Sequence, residues 1–133
     1  MTHRPTSTAA SKARNVLCVL AGTAVLLLKR LYSGPGKEVV HSYGGNLSVS
    51  FAVYFVLLQL PVPGVFRKPV AAGLALAAVE SFEIFNGFGV MANTYDPLDL
   101  IANAVGVALA VVVDSKLVWR GRAQKSKLDG GKP

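Results

Sequence analysis

The chain has 133 residues, 52% of them hydrophobic, a mean hydropathy of +0.45 and a formal net charge of +7. The length suits one domain, and the hydropathy exceeds that of ordinary soluble domains, so membrane spans are the first fold class to test. A single cysteine, Cys18, excludes an intramolecular disulfide and a cysteine-based metal centre, and the absence of a basic stripe interleaved with aromatics argues against nucleic acid as a partner.

In chain order, residues 1–14 are small, polar and basic and read as a flexible tail. The first apolar run, NVLCVLAGTAVLLL (Asn15–Leu28), precedes Lys29-Arg30. Snorkelling of these cations extends its reach to a span over about 15–32. A cleaved signal peptide competes with a retained helix, but the following LYSGPG lacks a small-x-small cleavage site and favours retention. A glycine-rich loop is expected over 33–45. The second run, LSVSFAVYFVLLQL, predicts a span over 46–60 that PVPG at 61–64 terminates. Arg67-Lys68-Pro69 opens a third span over 69–90, with proline suited to a first helical turn. Asp96-Pro97-Leu98-Asp99 reads as a helix start with an N-cap aspartate and proline at N1, opening a fourth span over 97–113. The membrane domain then covers 15–119, and 120–133 read as a flexible basic tail. Residues 16–28, 47–60 and 100–113 contain no Asp, Glu, Lys or Arg. Helices that are apolar all round contact lipid, so the expected fold is an all-α, polytopic bundle of four transmembrane helices.

Charge gives the orientation. With four spans, eleven of the fourteen Lys and Arg residues fall on the side of the termini and the 61–69 loop, against Lys29, Arg30 and Lys37 on the other. The positive-inside rule places both termini in the cytoplasm. Trp119 then falls near the inner boundary, and Tyr32, Tyr43 and Tyr95 near the outer one, as an aromatic belt would.

This topology assigns depths to the polar residues. Glu80 lies roughly 16 Å along the helix past Pro69, near the midplane of a core about 30 Å thick. Glu83 and Asn86 follow one and two turns outward. Asp99 and Asn46 enter from outside, with Asn103 and Ser50 a turn deeper, so the polar groups gather in the outer half. Gly73 and Ala77 share a stripe with Glu80 and Glu83, and Asp99, Asn103, Gly106 and Ala110 form one face of the fourth helix. Ala102, Gly106 and Ala110 also make a small-xxx-small pattern that permits close helix approach. The third and fourth helices are expected to pack along these stripes with the carboxylates between them. A lipid-facing carboxylate near mid-bilayer is costly, so Glu80 and Glu83 are expected to face the bundle interior. The simpler reading of each is a neutral acid bonding a neighbouring helix. For Asp99 capping and site roles stand level, Asn103 also reads as an interhelical bonding residue, His41 reads as solvated or interfacial, and Arg67 and Lys68 read as topology determinants.

Glu80-x-x-Glu83, a loop, then Asp99-x-x-x-Asn103-x-x-Gly106, together with Gly44-Gly45-Asn46 at the second helix, resembles the VanZ-like family of small bacterial membrane proteins over residues 40–113. The family pattern is E-x-x-Q, a loop often bearing Arg, then D-x-x-x-N-x-x-G. Glu83 stands where the family prefers Gln, and loop 84–98 holds no Arg or Lys. The resemblance implies a multi-pass protein of the bacterial cytoplasmic membrane, linked through the family's founding member to glycopeptide (teicoplanin) resistance. Three functions compete. The first is a non-catalytic envelope protein binding a lipid-linked or cell-wall ligand through Glu80, Glu83, Asp99, Asn103, Asn46 and Ser50. The second is a small proton- or cation-coupled transporter using Glu80, which would need a homodimer to enclose a pathway. The third is an intramembrane enzyme holding a divalent cation on Glu80, Glu83 and Asp99. No HExxH, Ser/His/Asp, Cys/His, P-loop or GxGxxG arrangement is present, which disfavours the enzyme. No cofactor or resident metal is expected.

Overall fold

The structure, a computed structural model, describes residues 9–89 and 96–130, apart from the side chains of residues 86, 87 and 129. Every regular element among these residues is helical. The helices are α1 (Ala9–Leu28), α2 (Lys37–Leu57), α3 (Arg67–Ile84) and α4 (Pro97–Asp129), with short 3-10 turns at Lys29–Leu31 and Asn86–Gly89. Tyr95, expected in the outer aromatic belt, lies outside the described residues, as does the first half of the expected N-terminal tail.

Several boundaries differ from those expected. Helix α1 is already formed at Ala9, the first described residue, and not only from Asn15, because AASKAR is made of good helix formers and offers nothing to stop the helix before Asn15. Helix α2 begins at Lys37, not Asn46. Gly36, with φ +74, makes the sharp entry, and Glu38 suits the first turn. Gly44 and Gly45, expected in a loop, are helical, and Gly45 marks a close approach: a Cβ there would sit 2.5 Å from Lys29 Nζ. Helix α3 stops at Ile84, short of the expected 90. Helix α4 does not stop at 113, because residues 114–129 contain no proline and many helix formers, and it runs on for 33 residues in all. The expected flexible tail is therefore helical through Asp129.

The punctuation read from the sequence at α4 and after α2 is present. Asp96 is the N-cap: Leu98 N–H donates to its Oδ1 at 3.0 Å, and Pro97 occupies the first turn. Its Oδ2 accepts the Tyr43 hydroxyl at 3.1 Å, which ties the start of α4 to α2. Asp96→Ala is expected to destabilise the fold by about 1 kcal/mol, read as a lower melting temperature by circular dichroism in detergent. An unchanged melt would mean that packing alone sets this helix start. Helix α2 ends ahead of PVPG, and Arg67 Nε donates to the Leu58 carbonyl at 2.7 Å, so Arg67 caps a helix end as well as carrying charge.

Helix α2 is the centre of the bundle. It packs against α1, α3 and α4, α3 also packs against α4, and the backbone of α1 packs only on α2 among the long helices, with Arg14 reaching across to α4. Two glycines permit these approaches. A Cβ on Gly22 of α1 would meet the Ser48 carbonyl oxygen at 3.0 Å and Ala52 Cβ at 3.1 Å, and a Cβ on Gly106 of α4 would overlap Ser50 Oγ and the Leu47 carbonyl oxygen. The core is Tyr54, Phe55, Leu58, Ala71, Ala75, Val107 and Ala110. Alanines on α3 and α4 leave room for the two rings of α2, which meet edge to face with centroids 5.2 Å apart.

The packing face of α3 is not the expected one. Ala71, Ala75 and Val79, at i, i+4 and i+8, are buried, while Gly73 and Ala77 are exposed and Gly73 has open space around it. The large rings of α2 select alanines on the face that must approach them, and the glycine stripe turns outward. On α4, Ala102, Gly106 and Ala110 are buried, and Gly106 approaches α2 rather than α3.

Two helices, Ala9–Leu31 and Pro97–Leu128, are long and apolar enough to cross a membrane. Helices α2 and α3 fall short of that standard. The first nine residues of α2 are largely polar or glycine, and α3 carries Arg67, Lys68, Glu80 and Glu83 within its 18 residues.

Candidate functional site

Polar side chains gather at the two ends of the bundle, around Asp99 and around Asp114. At the Asp99 end, the four helices each supply one or more. Helix α3 places Glu83 on its buried face, because Glu83 continues Ala71, Ala75 and Val79 by one more step of four, and Glu80 at the edge of that face, half-buried. Helix α4 places Asn103, 2% exposed, toward Glu80, close enough for the two side chains to interact. Yet Glu80 Oε2 and Asn103 Nδ2 are both buried without a hydrogen-bond partner. A buried polar atom left unpaired loses water without compensation, at about 1–3 kcal/mol each, so these two atoms, in reach of one another but short of a hydrogen bond of normal geometry, gain by pairing either with each other or with an incoming group.

Asp99, half-buried one turn away, receives the Asn46 side chain across the α2–α4 contact. Lys29, at the end of α1, donates to the His41 carbonyl at 3.0 Å over Gly45 and lies near enough to act on Asp99 electrostatically. The cation absent from loop 84–98 is thus supplied in space from another helix. His41 Nε2 lies 3.0 Å from the Tyr32 carbonyl oxygen and is engaged with backbone, not with a carboxylate. Ser50 is fully buried, and its hydroxyl donates to the Asn46 and Leu47 carbonyls of its own helix at 2.7 and 3.1 Å. It is closed off by Gly106, so Ser50 belongs to helix packing and not to an open site.

Glu80, Glu83, Asp99, Asn103 and Asn46 are therefore brought to one end of the bundle, and Ser50 is not available there. Among the described residues, no group of three or more His, Cys, Asp or Glu side chains is placed to hold a metal ion, so Glu80, Glu83 and Asp99 do not make the oxygen cage of the enzyme reading. The side chain of Asn86 is outside the described set.

The Asp114 end was not legible as a cluster. Asp114 is 1% exposed. Its Oδ1 accepts Arg14 of α1 at 2.9 Å, and its Oδ2 accepts Lys68 of α3 at 3.0 Å and the Tyr54 hydroxyl of α2 at 3.2 Å. Arg14 also donates to the buried Asn15 side chain at 2.9 Å, and Lys68 to Ser115 Oγ at 3.3 Å. One carboxylate on α4 thus contacts all three other helices. A signal existed: Asp114 continues the Asp99–Asn103–Gly106–Ala110 face by one more step of four. Between the two ends the α2–α4 seam is filled by Gly106, Val107 and Ala110.

An apolar groove of about 190 Å³ opens between α1 and α4, walled by Gly22, Val25 and Leu109 and floored by Leu47 and Phe51 of α2. It starts one residue from Asn46. The chain matches no protein-family model, no curated protein and no solved structure.

Proposed function

We propose that this chain is a four-span, VanZ-like protein of the bacterial cytoplasmic membrane, with both termini cytoplasmic, that binds a lipid-linked or cell-wall ligand at the Asp99 end without catalysing a reaction. The observation that carries the reading is the unpaired Glu80 Oε2 beside the unpaired Asn103 Nδ2. A hydroxyl or amide of a saccharide or peptide headgroup both donates and accepts, and so completes both atoms at once. The groove between α1 and α4 is apolar and open, suited to part of an alkyl chain. Lys29 gives the same end a cation, the charge that the resembled pattern carries in its loop.

The membrane setting is supported by the outward faces. Leu17, Leu27 and Leu31 near α1, and Ile101 and Val112 on α4, are exposed large apolar side chains. Carried by every helix, such faces exceed what a soluble monomer presents to water. The closed seam between the two polar ends weighs against a transport path.

The test is ligand-dependent thermal stabilisation of the detergent-solubilised chain by a polyprenyl-linked cell-wall saccharide. Asn103→Ala and Asp99→Asn should each weaken binding tenfold or more, about 1.4 kcal/mol, and Glu80→Gln should weaken it less because the amide keeps one acceptor. Equal stabilisation of all three variants and the parent would remove the Asp99 end as the binding site. Cysteine labelling with Cys18 replaced by serine checks the topology, and a cytoplasmic label at residue 94 would overturn it.

A further inference from the structure

The far end of α4 leaves the bundle. At about 1.5 Å per residue its 33 residues extend roughly 50 Å, against a hydrocarbon core of about 30 Å. From Ser115 to Leu128 the helix carries Lys116, Arg120, Arg122, Lys125 and Lys127 and no acidic residue. All five cations are exposed, and none makes a hydrogen bond or ion pair with another described residue. Trp119, 72% exposed and the only tryptophan in the chain, lies among them, with Lys116 and Arg122 at i−3 and i+3 on the same side of the helix.

A helix that had evolved to stand free in solution would gain by mixing charge signs along its length. This one accumulates like charge over fourteen residues, and none of its five cations forms an ion pair with another described side chain, which raises its energy until an anionic surface is present. We propose that residues 115–128 form a docking segment for the anionic phospholipid headgroups of the leaflet from which α4 emerges.

The levels fit that partner. Asp114, locked to Arg14 and Lys68, marks the end of the apolar bundle. Counting outward from it at about 1.5 Å per residue, Lys116, Trp119 and Arg120 fall within about 3–9 Å, which spans the headgroup layer, and tryptophan prefers that layer. Lys125 and Lys127 lie roughly 16–20 Å out, about one screening length beyond the headgroups. Gly121 has open space around it and no side chain to stiffen the helix, so bending there lets these two cations approach the surface. The inference rests on the membrane-embedded part of the proposed function and not on the ligand site at the Asp99 end.

Trp119 is its own reporter. The full chain is reconstituted in nanodiscs of phosphatidylcholine alone and in nanodiscs of phosphatidylcholine with phosphatidylglycerol, and Trp119 quenching by acrylamide is measured. Each juxtamembrane cation contributes about 1 kcal/mol of attraction to an anionic surface, so quenching should fall by at least about twofold in the anionic discs. The difference should vanish near 1 M salt, where screening shortens to about 3 Å, and should be absent in the combined variant Arg120→Gln, Arg122→Gln, Lys125→Gln, Lys127→Gln. Equal quenching in both discs would overturn the inference while leaving the membrane reading intact. A chain that does not co-elute with either disc would overturn both. Protection of Trp119 by duplex DNA in neutral discs, equal to that from phosphatidylglycerol, would remove lipid as the specific partner.

Discussion

Asp114→Ala should lower the stability of the folded chain by about 3 kcal/mol, the low end of the range for breaking a buried ion pair. The carboxylate is 1% exposed and holds one group from each of the other three helices. Its removal leaves Arg14 and Lys68 facing one another and strands the Tyr54 hydroxyl in the core. The loss is not larger because Arg14 and Lys68 keep partial access to water, with exposures of 25% and 38%, and rehydrate. Lys68→Gln should accordingly cost under about 1 kcal/mol, as a half-exposed partner does. Asp114→Asn should fall between the two, because an amide keeps an acceptor but turns a donor toward two cations. Equilibrium unfolding in mixed detergent micelles ranks the three. If Asp114→Ala unfolds with the parent, the four helices are held by apolar packing alone and the ion cluster is incidental.

The second large effect is steric. Gly106→Leu is expected to prevent folding or to cost more than about 3 kcal/mol, beyond the usual range for inserting extra carbons into a packed interior. The atoms that a Cβ would strike include the Leu47 carbonyl oxygen, which cannot rotate away as a side chain can. Gly106→Ala should cost about 1–3 kcal/mol for the same reason. Gly73→Ala and Gly121→Ala are the controls: both glycines are helical with open space around them, so alanine should stabilise each by up to about 1 kcal/mol. This set separates glycine as a packing device from glycine as a helix weakness. A Gly106→Leu chain that melts normally would mean that α2 and α4 do not approach as described. Sensitivity at Gly73 would mean that the outward stripe of α3 is covered after all.

What could be read early was whatever depends on neighbours in sequence. The Asp96-Pro97 start needs only the backbone donors of the next turn, and PVPG needs only the lost amide hydrogens, so both were legible. The apolar runs without charge gave the helical class by the same logic. Gly44-Gly45 suggests a loop from sequence because glycine signals a loop and a close approach with the same letter, and only the presence of Lys29 above Gly45 distinguishes them. The acids of α3 and the Asp99–Asn103 face of α4 could be listed as candidates from spacing and depth, but not paired: the contact of Glu80 with Asn103, and of Asp99 with Asn46 and Lys29, depends on which helix lies beside which.

The stripe on α3 makes the same point in the other direction. Gly73 and Ala77 have the composition of a packing face, and so do Ala71, Ala75 and Val79. Periodicity defines both stripes equally well and cannot choose between them, because it carries no information about the large rings of α2 that one of them must accommodate.

By itself the sequence determined the helical class, two of the helix ends, a set of polar candidate residues and the distribution of charge along the chain, since each follows from backbone geometry or from burial tendencies summed over a few turns. Only the tertiary structure decided that α2 is central, that Gly106 meets α2 and not α3, and that Asp114 joins partners 100 and 60 residues away. Contacts at that separation depend on the relative rotation and order of whole helices, which local spacing leaves free and which the fit of large rings, small residues and one buried carboxylate finally selects.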